Sequence, residues 1–234
     1  MDWIAYWDGS PSVYVCRRHK EIHYRTIADG IAALVEKPHA RVLDFGCGEA
    51  LAAERVARSC GHLYLADAAA NVRASLSARF ADAPRITVLD GASPISVTPG
   101  SLDLIVVNSV VQYLTRDVLG ALLEEWRPLL AQDGRIVFAD IVPPDLGPSN
   151  DAAELLKFAR ANGFVAQAIG GLLRTALSDY RKLRTTLGLS KYSEQGFMAF
   201  LLEHGFAATR IRPNLGHNQR RMAFSARPIA PPLS

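Results

Sequence analysis

The stretch Arg41-Val42-Leu43-Asp44-Phe45-Gly46-Cys47-Gly48-Glu49-Ala50 constrains the fold of this chain more than any other. An apolar strand ends on an acid and runs directly into a Gly-x-Gly turn followed by a helix-forming segment. Glycines at such a turn let the chain fold back tightly and let a ligand lie against bare main chain, while the next helix offers unpaired N–H groups. Gly-x-Gly after a strand also opens dinucleotide-binding folds, and Ala50 stands where a third glycine would fall, so the neighbouring segments must decide between ligands.

Leu63-Tyr64-Leu65-Ala66 reads as a second strand and ends at Asp67, about 20 residues beyond the glycines, where an acid reaches ribose hydroxyls. A third strand, Ile86-Thr87-Val88-Leu89, closes on Asp90-Gly91-Ala92. There a carboxylate could accept from an adenine amino group and a backbone N–H could meet a ring nitrogen, which argues against a plain nicotinamide enzyme. The apolar run 101–107 then breaks into Asn108-Ser109-Val110-Val111-Gln112-Tyr113, and a helix leads to Leu129-Leu130-Ala131-Gln132-Asp133-Gly134 and the strand Arg135–Asp140.

In this order of motifs the chain resembles the class I S-adenosylmethionine-dependent methyltransferases of the small-molecule type. The resemblance is firm over residues 38–144. It implies an α/β, Rossmann-like fold with a mostly parallel seven-stranded sheet, helices on both faces, and S-adenosyl-L-methionine as cofactor. By the same resemblance Asp44, Gly46 and Gly48, with Cys47 between them, hold the methionine end. Asp67 and Ala68 lie at the ribose, Asp90, Gly91 and Ala92 at the adenine, and Asn108 and Ser109 face the methyl group. Gly205-Phe206 and the two strand-like runs after it resemble the closing pair of that fold.

Around this core the chain divides into an N-terminal helical cap (1–37), the cofactor-binding core (38–144), a helical lid insertion (145–192), and a last helix with closing strands (193–234). The cap has helical apolar rhythm at Ile22, Ile27, Ile31 and Leu34, and Pro38 ends it. Helices are expected near Glu49 to Ser59, Ala70 to Phe80 and Asp117 to Leu130. Pro143-Pro144 through Pro148 cannot continue an element and marks the hinge, with Ser149 or Asn150 capping the next helix. The insertion shows helical spacing at Leu155, Leu156, Phe158 and again at Ile169, Leu172, Leu173, which predicts two or three helices forming a mobile lid or an interface between copies.

With 234 residues and 49% hydrophobic content, the chain suffices for one well-buried domain with one insertion. No apolar run of the roughly 18 residues needed for a membrane span occurs, and the first residues lack a signal-peptide pattern, so a cytoplasmic protein without membrane attachment is expected, as monomer or homodimer. Cys16, Cys47 and Cys60 suggest neither a disulfide framework nor a zinc site, and no metal is expected. Residues 151–234 hold 12 Lys and Arg against 5 Asp and Glu, leaving the remainder acidic. Clusters such as Arg181-Lys182-Leu183-Arg184, Arg210-Ile211-Arg212 and Arg220-Arg221 suit an anionic substrate, RNA or simply a solvated face.

Methyl transfer from a sulfonium asks the protein chiefly to align the acceptor and remove its proton. The catalytic candidates are His217, His23 and Tyr113. Tyr24, Tyr180, Arg184, Asn214 and Asn218 are candidates for holding the substrate, with Asn214 to Arg221 forming a concentrated polar loop. No Asn/Asp-Pro-Pro-Tyr follows the fourth strand, no paired cysteines suggest cytosine chemistry, and the aromatics cluster in the cap rather than among basic residues. A small-molecule methyl acceptor, an anionic metabolite among the candidates, is therefore the expectation, with transfer to oxygen or nitrogen. Two alternatives stand beside it: a catalytically inactive cofactor-binding or partner module, and an RNA or protein methyltransferase using the basic C-terminal face.

Overall fold

A computed structural model describes residues 3–9, 14–176 and 188–229. Seven strands form one sheet in the order β3-β2-β1-β4-β5-β7-β6. They are β1 (Arg41–Phe45), β2 (His62–Ala66), β3 (Ile86–Val88), β4 (Leu102–Asn108), β5 (Leu130–Ile141), β6 (Phe206–Ile211) and β7 (Met222–Pro228). The first five run parallel, while β7 is antiparallel to both β5 and β6.

Strand alternation sends neighbouring side chains to opposite faces, and both faces here are apolar, as a covered parallel sheet requires. Leu43, Phe45, Ile105, Val107, Ile136 and Phe138 point to one side, where α5 (Arg116–Trp126) and α8 (Glu194–Glu203) bury Leu123, Trp126, Phe197 and Phe200. Val42, Leu104, Val106, Val137 and Ala139 point to the other. There α2 (Arg17–Leu34), α3 (Ala53–Ala57) and α4 (Ala70–Arg79) supply Ile31, Val56 and Leu76. Continuous apolar strands thus produce a two-sided core with Trp126 and Phe138 wholly enclosed.

Two helices follow β5, α6 (Pro148–Asn162) and α7 (Val165–Ala176), and pack on α2 through Ile22, Ala159, Phe164 and Ala168. Gly147, rather than Ser149 or Asn150, is the N-cap residue of α6. Pro148 takes the first helical position, where its missing N–H costs nothing. Asn150 still contributes, since its Oδ1 accepts from the Gly147 N–H at 3.1 Å. α3 is shorter than the expected Glu49–Ser59 helix because the turn after Gly48 continues through Leu51 and Ala52. The short helix α1 (Trp3–Asp8) is fixed to α4: the Asn71 N–H donates to Asp8 Oδ1 at 2.7 Å. Among the described residues, no helix is long and apolar enough to cross a membrane.

Candidate active site

Strand order reverses between β1 and β4, and the carboxyl ends of strands at such a switch point form a crevice. It opens into a cavity of about 1490 Å³. The Gly-x-Gly turn forms one wall. Gly46 and Gly48 sit at φ +70° and +56°, and a Cβ on Gly46 would lie 2.3 Å from Val110 Cγ2. Only glycine fits both demands at that position. Ala50, in the place of a third glycine, adopts φ +41° and is buried. Arg79 of α4 holds this turn by donating to the carbonyls of Glu49 and Ala50.

Asp67 closes the next corner. Its Oδ2 accepts from the Gly48 N–H and its Oδ1 from the Ala69 N–H, both at 2.9 Å, so the acid at the end of β2 is aimed at the glycine turn. Burial, with Asp67 nearby, pushes the Asp44 carboxyl up to about 7. Cys47 is buried and its thiol is raised by burial and by Asp44 and Asp67, which makes it a compact spacer of low reactivity. Ala68, Gly91, Ala92, Asn108 and Ser109 also line the cavity, whereas Asp90 is exposed and its neighbours Gly91 and Ala92 provide the wall. The Asn108 Oδ1 is buried without a hydrogen-bond partner, an acceptor left over for a bound group.

The far end of the cavity is built from α2, α6 and the loop before β7. His23, His217, Tyr24, Tyr113 and Asn218 line it, as does His19, one turn before His23 on α2. Ring centroids in the His19, His23 and His217 cluster are 6.1–6.4 Å apart. His217 stacks on Phe158 at 4.7 Å and His19 on Phe164 at 5.2 Å. Burial and the His217 charge hold His19 down to about 4, and the same causes with His19 hold His23 at about 4. His217 is also lowered, by burial first. His19 and His23 are therefore neutral at neutral pH, and burial favours the neutral form of His217. Tyr24 bridges the two ends: its oxygen accepts from the Glu49 N–H at 3.1 Å, and burial pushes its hydroxyl up to about 12.

Asn214 is a correction. It does not line the cavity but supports it from behind, its Oδ1 accepting from the Asp140 N–H and its Nδ2 donating to Asp140 Oδ1 and the Asn218 carbonyl. Tyr180 and Arg184 lie outside the described residues. Asp140 itself, at the end of β5, faces the cavity at φ +64°, opposite Ser109 at φ +61°. Two non-glycine residues in that conformation at adjoining strand ends mark a site where the surroundings hold the backbone against its preference. Ser109 Oγ donates to Asp140 Oδ2 at 2.8 Å, and Arg221 Nη1 donates to the same oxygen at 2.6 Å. Burial alone would raise Asp140, but Arg221, Ser109 and Asn214 outweigh it and keep the carboxyl below its ordinary value. The other terminal nitrogen of Arg221 pairs with Asp151 of α6 at 3.1 Å, so one guanidinium ties the sheet to that helix. Of the basic clusters, Arg221 is thus engaged inside and Arg210 pairs with Glu194, while Arg212 and Arg220 are exposed.

Seven strands in this order, with a glycine turn after β1 and an acid ending β2, define the class I methyltransferase architecture. Residues 42–134 match the family described as a methyltransferase domain. Among solved structures, the YcgJ protein from Bacillus subtilis is 17% identical, with 81% of this chain covering 71% of that one at TM-score 0.56. The mitomycin 7-O-methyltransferase MmcR is 16% identical (88% of this chain, 54% of that one, TM-score 0.60). The DhpI–SAH complex is 12% identical (97% and 96%, TM-score 0.60). This chain thus spans only about half the length of MmcR. No curated protein sequence matches it. Residues 42–134 thus match a methyltransferase domain, and the seven-stranded fold is the one seen in the class I methyltransferases.

Proposed function

We propose that this protein transfers a methyl group to an oxygen or nitrogen of a small molecule held between the glycine turn and the histidine cluster. The observation that carries this reading is the single cavity running from Asp67 to His217. At about 1490 Å³ it exceeds the roughly 300–1,000 Å³ of an ordinary ligand pocket and has room for cofactor and acceptor together. MmcR, a mitomycin 7-O-methyltransferase, gives a precedent for oxygen as acceptor atom on this fold.

When bound, S-adenosylmethionine supplies an electrophilic methyl group. Asp44, the glycine turn, Asp67 and the backbone at Gly91 and Ala92 hold the cofactor. Asn108 and Ser109, at the switch-point end of β4, lie where the acceptor atom must meet it. His217, oriented by its stack on Phe158, takes the acceptor proton, and His23 stands beside it. A neutral imidazole has its lone pair available at neutral pH, so no prior deprotonation is needed. Tyr113 contributes an aromatic wall, packed edge-on against Trp7 at 5.8 Å. The test is transfer of tritiated methyl from S-adenosylmethionine to a panel of small phenols and amines. His217→Ala should lower turnover at least about ten-fold while cofactor affinity stays near wild type; unchanged turnover would remove His217 from the reaction.

A further inference from the structure

The chain from Asp90 to Thr98 leads from β3 towards β4 without helix or strand, yet Gly91, Ala92 and Ser93 line the cavity. A loop of this kind moves unless something outside it ties it down. Two things do. Ile95 is buried in the core cluster that holds Leu119 and Leu122 of α5, with Ala92 and Val97 packed against it. Among the described residues, Glu125 of α5 supplies both hydrogen bonds that reach Gly91–Ser96 from outside the loop. Ser93 Oγ donates to its Oε2 and the Ile95 N–H to its Oε1, each at 2.6 Å. Both bonds are charge-assisted and short. The helix sets this position: Leu123 and Trp126 bury α5 against the sheet, while Leu122, three residues before Glu125 and on the same face, lines the cavity. Glu125 also stands in the last turn of α5, where the helix dipole disfavours an acid. The two donors from the loop offset that placement.

From this geometry we infer that Glu125 is a positioning residue for the base of the cofactor: through Ser93 and Ile95 it fixes the main chain at Gly91 and Ala92, and so sets which purine edge the site accepts. The inference rests on the methyltransferase reading, in which the adenine lies against Gly91 and Ala92, and deepens it. The exposed Asp90 does not line the cavity, which leaves the main chain of these two residues to face the base. Adenine N1 accepts a hydrogen bond, whereas in hypoxanthine the same nitrogen carries a proton. A main-chain N–H can pair with the first, but held against the second it faces another donor and stays unpaired. Discrimination of this kind needs the N–H fixed in advance, because a loop free to move can turn it to another acceptor.

The experiment titrates the full chain calorimetrically with S-adenosylhomocysteine and with S-inosylhomocysteine, the same molecule carrying hypoxanthine. The wild type should bind the adenine compound at least about ten-fold more tightly. Glu125→Ala should weaken S-adenosylhomocysteine and leave the inosine compound little changed, so that the gap falls below about three-fold. Glu125→Gln can still accept from the Ile95 N–H and donate to Ser93 Oγ, and should restore most of the gap. Ser93→Ala removes one of the two bonds at an exposed residue and should narrow the gap part of the way; it decides the matter if Glu125→Ala does not fold. Equal binding of the two compounds by the wild type, equal weakening of both in Glu125→Ala, as a merely structural role would give, or a gap unmoved by either variant would overturn the inference. If S-adenosylhomocysteine binds and the gap is indifferent to Glu125 and Ser93, only this inference falls; if S-adenosylhomocysteine fails to bind the wild type, the methyltransferase reading falls and takes the inference with it.

Discussion

Replacing Arg221 with methionine isolates the charge arrangement at the heart of the site. Methionine keeps much of the side-chain length but takes the cation from Asp140, only 12% exposed. Breaking a buried ion pair by removing one partner costs about 3–5 kcal/mol. For a domain of this size each kcal/mol corresponds to roughly 2–4 °C, so the melting temperature should fall by about 6–20 °C. The loss should also depend on pH in a definite direction. In the wild type Arg221 keeps the Asp140 carboxyl below its ordinary value, so its contribution is intact at neutral pH and declines only as pH falls through the acid range. In Arg221→Met burial becomes dominant and Asp140 rises above its unfolded value. The folded variant then retains a proton that the unfolded chain releases, and its stability falls as pH rises. The gap between wild type and variant should therefore be wider at pH 8 than at pH 5, measured by thermal unfolding with the exposed Arg212→Met as a control. A gap under about 2 °C, or one that does not change with pH, would refute the reasoning.

Gly46→Ala should weaken S-adenosylmethionine binding at least about ten-fold, since the new Cβ meets Val110 at 2.3 Å in a left-handed conformation costing about 1–2 kcal/mol. Adding Val110→Ala relieves the contact but not the backbone strain, so calorimetry should show partial recovery. Asp44, pushed up to about 7 by burial and by Asp67, holds its proton in part at neutral pH. Binding of a cofactor with a cationic methionine end should expel that proton, so affinity should rise with pH through 7. Calorimetry in buffers of different ionisation enthalpy should show a proton released on binding at pH 7 and less released at pH 9; no release at either pH would show that Asp44 meets no cation.

The glycine-turn end of the cavity is legible in the sequence because its signals are local. The glycine turn, the acid ending β2 and the polar break after β4 each lie within a few residues of a strand end, and strands at a switch point must deliver them to one crevice. The histidine end is legible only in part. His217 and His23 were accessible as a loop histidine and a cap histidine, and His19, four residues before His23 on one face of α2, could have been added from that spacing. Asp140 and Arg221 are 81 residues apart and meet only because β7 returns antiparallel beside β5. The acid ending β5 was the available signal for Asp140. Nothing local marks Arg221 as internal, since Arg220 beside it is exposed. Asn214 misled for the same reason: a polar loop residue was read as facing substrate, whereas it is bound to Asp140.

The central claim is that the corner formed by Asp44, the glycine turn and Asp67 holds S-adenosylmethionine. Calorimetric titration of the wild type and of Asp67→Ala with S-adenosylmethionine, with NAD as the competing ligand, tests it most directly. The account predicts micromolar binding of S-adenosylmethionine to the wild type, a large loss in Asp67→Ala, and no binding of NAD. Binding of NAD instead, or S-adenosylmethionine binding indifferent to Asp67, would contradict it.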